Sequence, residues 1–184
     1  ATTAAKVTLS GVGLGFSPVE IELNPGELRE IPDVVASALG AERDAAGAIQ
    51  VQSDAAVVVR ARTSSAGVGA FNAMSPPPVL AGEGSTATLI GLRGAASTIG
   101  FVTTTGAVAG LTLNDGNGNL VAAQDAGVAL EPGSVRETLL AELFPGTDIP
   151  ESAVLVIAVH SGSLAAYAQT TDAITGDWWI QTAN

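Results

Sequence analysis

Apolar and polar residues alternate along most of this chain, and glycine or proline interrupts the alternation every few residues. Val19-Glu20-Ile21-Glu22-Leu23 is the plainest case, apolar on one side and acidic on the other, which is the period of a half-buried strand. Asn24-Pro25-Gly26 ends it as a turn, because proline fixes φ and glycine accepts a positive φ. Alternation resumes from Glu27 to Ile31. After Pro32 the apolar spacing becomes helical from Asp33 to Leu39 and stops at Gly40, which predicts a short helix. Ala48 to Val51 and Ala55 to Thr63 predict two strands joined by Gln52-Ser53-Asp54, and Gly67 to Met74 predicts another. Ser75-Pro76-Pro77-Pro78 cannot donate into a ladder and reads as a stiff linker.

The second half has the same texture. Ser85 to Leu92 and Thr98 to Thr105 are strand-like. Leu111 to Leu113 and Leu120 to Ala123 flank Asn114-Asp115-Gly116-Asn117-Gly118-Asn119, a hairpin turn by composition. Ala126 to Leu130, the turn at Glu131-Pro132-Gly133 and a short helical stretch around Glu137 to Phe144 follow. The nearly unbroken apolar run Ala153 to Val159 predicts a central strand buried on both sides. Ser163 to Thr171 and Trp178 to Thr182 complete the set. Short strands, frequent turns and no long amphipathic helix predict an all-β fold of antiparallel β-sandwich type.

The two halves are copies of one another, and unequal ones. Leu23-Asn24-Pro25-Gly26 recurs 107 residues later as Leu130-Glu131-Pro132-Gly133, and the same offset carries Val57 to Leu164, Ala61 to Ala168, Thr63 to Thr170 and Phe71 to Trp178. A three-residue slip brings Val7-Thr8-Leu9-Ser10 onto Leu111-Thr112-Leu113-Asn114. Ahead of the shared part the second copy has Val79 to Gly110, whereas the first has only Ala1 to Lys6. Two tandem modules are therefore expected, residues 1–75 lacking leading strands and residues 76–184 complete, each with one short helical turn.

Composition narrows the functional classes. The net charge of -11 repels phosphate backbones and anionic lipid, so neither a nucleic-acid partner nor membrane insertion is expected. The longest apolar run is far too short to cross a bilayer as a helix. With no cysteine there is neither a disulfide nor a thiolate metal site. Aromatics make up only 4 % of the chain while 47 % is hydrophobic, so the core is built mainly from small and β-branched side chains. The opening Ala-Thr-Thr-Ala-Ala suits an end left by cleavage at a small-residue site, and a trimmed chain or a proteolytic fragment would look the same.

Candidate chemistry is sparse. Asp115, Asn117 and Asn119 alternate like the first three ligands of a calcium loop, but the sixth position is Leu120 and the twelfth Ala126, and an Asn/Gly-rich hairpin accounts for them without a metal. Trp178 and Trp179 face opposite sides of a strand. One matches Phe71 as core, and the other is left to cover the end of the sandwich, stack on a sugar ring or anchor a partner. His160 stands where the apolar run meets Ser161-Gly162, beside no nucleophile elbow, and reads as a solvent-exposed turn residue. The acid pairs Glu20/Glu22, Glu137/Glu142 and Asp172/Asp177, and the arginines Arg60 and Arg62, suit ordinary polar faces. No catalytic residue and no cofactor are expected.

Asn24-Pro25-Gly26, Asp33-Val34, Ile49-Gln50-Val51-Gln52-Ser53-Asp54, Pro132-Gly133, Leu143-Phe144 and Thr175-Gly176-Asp177-Trp178 together resemble the tandem immunoglobulin-like β-sandwich modules of large secreted bacterial proteins. The first copy departs from the pattern at Gly67-Val68-Gly69, where the second has Thr175-Gly176-Asp177. The resemblance implies an extracellular or cell-surface, non-catalytic building block. A first module without leading strands leaves unpaired backbone groups along an edge. A strand-exchange segment at Thr2, Thr3, Val7 and Leu9 would fill that gap within the chain or in a neighbour. The expected function is structural, as a filament or adhesive subunit partnered by itself or by other modules of a larger surface protein. The alternative is a carbohydrate-binding module that takes a glycan on Trp178 or Trp179.

Overall fold

The computed structural model describes residues 3–13, 17–38, 40, 48–64, 71–75, 80–172 and 178–183. Strands dominate it, every strand pairing is antiparallel, and helix is limited to single turns, so the chain is all-β. It divides into two compact units, Ala1–Val59 and Arg60–Asn184. The proline run 76–78 lies outside the described residues.

The first unit holds β1 (Ala5–Val12), β2 (Val19–Leu23) and β3 (Ala48–Ser53), paired in the order β2-β1-β3. Ala5, Val7, Leu9 and Val12 of the central strand are buried, while the flanking apolar residues of β2 and β3 are only half-buried. The opposite face is polar. Lys6 pairs with Glu20 at 2.9 Å, and the Ser10 hydroxyl donates to Gln50.

Two predicted strands of this copy do not form as expected. Over Glu27 to Ile31 there is no strand, because the Glu27 carboxylate is committed to the preceding turn. It accepts from the Asn24 backbone N–H at 2.9 Å and from Arg29 at 2.6 Å, and these donors, Asn24 first, hold its pKa down to about 2. Leu28 is left 93 % exposed, so the alternation buries nothing there. From Ala55 to Arg60 burial still alternates, but no ladder forms among the described residues, and Val58 is 86 % exposed. The predicted helix is a single π-type turn at Val34–Ala38, and the Ser37 N–H donates to the Asp33 carbonyl at 2.7 Å.

The second unit contains the hairpin β4 (Ala61–Ser64) and β5 (Phe71–Ser75), then β6 (Ala81–Gly82), β7 (Thr86–Leu92), β8 (Ser97–Val102), β9 (Ala107–Asn114), β10 (Leu120–Leu130), β11 (Val135–Leu139), the helical turn α1 (Leu140–Leu143), β12 (Ala153–Thr171) and β13 (Trp178–Thr182). The helical stretch expected around Glu137 is strand up to Leu139, where it pairs with β8, and only Leu140 to Leu143 turn helically.

The organising element is β12, which is 19 residues long. Its first half lies between β7 and β9, with β10 beyond β9; its second half lies between β8 and β13, with β11 beyond β8. Both halves face one core, in which Leu89, Leu113, Leu155 and Ile157 meet Ile99, Phe101, Leu164 and Ala168. A strand can line one core from two sides only if it bends and its inward positions change phase. Both occur at His160-Ser161-Gly162. Ala153, Leu155, Ile157 and Val159 point inward before it, and Leu164, Ala166, Ala168 and Thr170 after it. A register shift against β9 falls between Val159 and Ser161. The run Ala153 to Val159 is therefore central but buried on one face, with Val154, Val156 and Ala158 half-buried on the other.

The partner ribbon turns at the same place. Thr103 to Gly106 connect β8 to β9 opposite the bend. The buried Thr103 hydroxyl donates to the Ser163 carbonyl at 2.7 Å, and the Ser163 N–H donates to the Gly106 carbonyl at 3.3 Å. Gly162 has φ +72°, and a Cβ there would lie 2.0 Å from the Gly106 oxygen. Gly162→Ala should therefore destabilise the second unit by about 3 kcal/mol or more, since the clash is with backbone and the φ is left-handed. Gly118→Ala, which has a positive φ but nothing within 4 Å of the new methyl, should cost about 1 kcal/mol in urea unfolding. Equal losses for the two variants would show that the close approach does not matter.

Candidate functional site

The predicted site residues fall into separate places. Thr2 lies outside the described residues, and Thr3 is exposed just ahead of β1. Val7 and Leu9 sit in the central strand of the first sheet. Val7 is paired with Ile21 and Ser53, and Leu9 with Val19 and Val51, and both side chains are buried. Donating this strand to a neighbour would break two ladders within its own chain.

Open backbone lies instead along the outer sides of the first sheet. Among the described residues no strand pairs beyond β2 or beyond β3. The repeat identifies the corresponding strands of the second unit. Moved 104 residues along, the β1–β3 pairs Val7–Ser53, Thr8–Gln52 and Leu9–Val51 become the β9–β12 pairs Leu111–Ile157, Thr112–Val156 and Leu113–Leu155. The strand order β2-β1-β3 corresponds to β10-β9-β12. In the hairpins, Ser64–Phe71 corresponds to Thr171–Trp178 at the 107-residue offset. On the far side of β12 stands β7. The position beyond β3 is the one that β7 fills in the second unit.

Trp179 is 38 % exposed on β13, and the Arg93 guanidinium lies 5.8 Å from its ring centroid while also facing Asp172 at 3.6 Å. This grouping of an aromatic, a cation and an acid joins residues far apart in sequence, and no local pattern announced it. The backbone of Trp178 pairs with Thr171, and its side chain lies outside what is described. On the same strand, Gln181 reaches across to β7, accepting from the Ile90 N–H at 3.0 Å and donating to the Ile90 carbonyl at 2.5 Å.

The Asp115 turn is held by its own hydrogen bonds. Oδ1 accepts from the Asn117 and Asn119 N–H groups, both at 2.8 Å, and Oδ2 accepts from the Asn119 side-chain amide at 2.8 Å. These donors, the Asn119 side chain first, hold the Asp115 pKa below the usual aspartate value. Asn119 thus turns its nitrogen, not its oxygen, toward the carboxylate. Among the described residues no cluster of three or more acids or histidines could hold a metal.

His160 is exposed at the bend of β12, not in a terminal turn, and its ring lies over Gly110. Glu20 faces Lys6, Glu142 accepts from the Thr138 hydroxyl at 2.9 Å, and Glu137 accepts from the Tyr167 hydroxyl. Arg60 is exposed; Asp177 and the side chain of Arg62 fall outside the described set. Tyr167 was not anticipated. Its ring covers Gly100, which pairs with it on one side and with Glu137 on the other, so the phenol spans the bare backbone to reach the acid. A glycine inside a strand was the available signal. Burial first, and then Glu137, raise the Tyr167 pKa well above the ordinary tyrosine value.

No protein family, curated protein or solved structure matches this chain. Among the described residues no helix is long and apolar enough to cross a membrane.

Two measurements check these assignments. Tyr167 is the sole tyrosine, so ultraviolet titration reads it alone. In urea its midpoint should fall near 10, and in the folded chain clearly higher. Glu137→Gln should lower the folded midpoint without removing the part due to burial. Because the folded pKa is raised, the associated stability is complete below about pH 10 and is lost as pH rises beyond it. At the hairpin, Asp115→Ala should lower the melting temperature, whereas millimolar calcium should leave the wild-type value unchanged. A calcium-dependent rise would restore the metal reading.

Proposed function

We propose that this protein is a non-catalytic structural module of the cell surface or extracellular space, assembling with copies of itself or with other modules of a larger surface protein. The observation that carries this reading is that no strand pairs beyond β3 among the described residues, where the second unit has β7. A regular strand with unpaired N–H and C=O groups is a template for strand addition. We read the two units as tandem immunoglobulin-like β-sandwich modules, a view supported by the shared strand order and by the repeating pair registers. Because β1 is buried and paired on both sides, this reading favours a partner strand at a sheet edge of the first unit over a donated N-terminal segment.

A second reading draws on Trp179, where an exposed ring stands beside Arg93 and Asp172, an arrangement able to stack and hydrogen-bond a glycan. Arg93 lies over the ring, so a sugar would have to share or displace that contact, and this makes assembly the stronger proposal.

Light scattering on the purified chain should give a mass that exceeds 18.2 kDa and rises with concentration. A monomer mass maintained into the high micromolar range would overturn the assembly reading. Glycan-array binding lost in Trp179→Ala would favour the second.

A further inference from the structure

We infer that β3 is the assembly edge and that its occupant is β3 of a second copy, joined antiparallel about a twofold axis at Gln50. This deepens the assembly proposal above and rests on it.

The inference comes from comparing β3 with the outer strands β2, β7, β10 and β11. β2 carries Glu20 and Glu22, so a like strand laid against it would bring acids together. β7 is blocked at Ile90, whose N–H and C=O are both taken by Gln181, and its register breaks there, between the partners of Ala153 and Leu155. β10 has two register breaks, between Leu120 and Ala122 and between Gln124 and Val128, and it carries Asp125. β11 carries Arg136 and Glu137. Each of these edges has a device that discourages a further strand.

β3 has none of them. Its sequence, Ala-Ile-Gln-Val-Gln-Ser, contains no charge and no proline, and its pairing with β1 runs from Ser53 to Ala48 without a break in register. A strand added here takes the place that β7 occupies against β12, where the pairing is antiparallel.

Chemistry selects the occupant. The chain carries -11, so a partner copy is tolerated best where the meeting strands are neutral. An antiparallel pairing of β3 with itself keeps each face in register only if paired residues are both odd or both even in number. Centred on Gln50, it sets Ile49 opposite Val51 twice on the apolar face. On the polar face it sets Gln50 opposite Gln50, and these amides can donate to and accept from one another. The result is a six-stranded sheet across two copies, closed by its own symmetry.

The cysteine-free chain makes the test direct. Gln50→Cys places two thiols opposite each other across the twofold, within disulfide reach of directly paired strand residues. Under mild diamide oxidation most Gln50→Cys chains should run as a covalent dimer, while Glu22→Cys on β2 should stay at background. Gln50→Glu should weaken self-association about tenfold at low salt, with much of the loss recovered at high salt. If wild type is monomeric, the assembly reading falls and this inference with it. If wild type assembles but Gln50→Cys cross-links no better than Glu22→Cys, the β3 edge is wrong and assembly itself stands. Should Gln50→Cys fail to fold, mixing Ala48→Cys with Gln52→Cys chains asks the same question, because those residues also face each other; absence of their mixed dimer would likewise overturn the inference.

Discussion

The close approach of Gly162 to the Gly106 carbonyl is the constraint on which the second unit depends. Two ribbons, β8 running into β9 and the single strand β12, bend together there, and neither can bend without the other. A side chain at Gly162 would push the strands apart where Thr103, Gly106 and Ser163 exchange hydrogen bonds. The bend also sets the phase of burial. Without the extra residues at His160 to Gly162, either Leu155 and Ile157 or Leu164 and Ala168 would face solvent. Burying a leucine or isoleucine stabilises by about 1.5–3 kcal/mol, so losing one set would remove much of the core's advantage. The alanines of β12's second half and the buried Ser97–Thr170 hydroxyl pair, 2.9 Å apart, keep the side chains on that wall small.

How much of this was legible depended on whether the deciding partner was local. Val19 to Leu23, the Asn24-Pro25-Gly26 turn and the hairpin around Asp115 were readable because alternation and turn chemistry act within a few residues. The bend was misread. Val159-His160-Ser161-Gly162 has the composition of a strand end, yet the ladder continues through it, because β9 on one side and β6 on the other supply partners from distant sequence. Glu27 to Ile31 failed in the opposite sense. It alternates, but the turn claims Glu27 and no core lies beneath Leu28. Alternation shows that a segment fits a half-buried sheet. It does not say whether a sheet is there to receive it.

The candidate sites divide the same way. The Asp115 turn could be read from its residue types, and its hydrogen bonds complete that reading. The Arg93–Trp179–Asp172 grouping could not, and of the Tyr167–Gly100–Glu137 row only the strand glycine could, since both are assembled by pairing across β8, β11, β12 and β13. The Gln181 clamp on Ile90 is of this kind too. It spends a side chain on backbone groups that a neighbouring strand would otherwise meet.

That clamp gives the unequal repeat its physical meaning. Both units contain the same three-strand nucleus with the same β1–β3 and β9–β12 register. In the second, β7 covers one side of it, and β7's own outer edge is then closed at Ile90. In the first unit no described strand pairs beyond β3, and β3 carries glutamines where β2, β7, β10 and β11 carry charge, a register break or a clamp. An uncovered edge is an aggregation hazard unless something specific occupies it. A chain that guards β2, β7, β10 and β11 and leaves β3 regular, neutral and self-complementary has a physical reason to keep that edge for a partner.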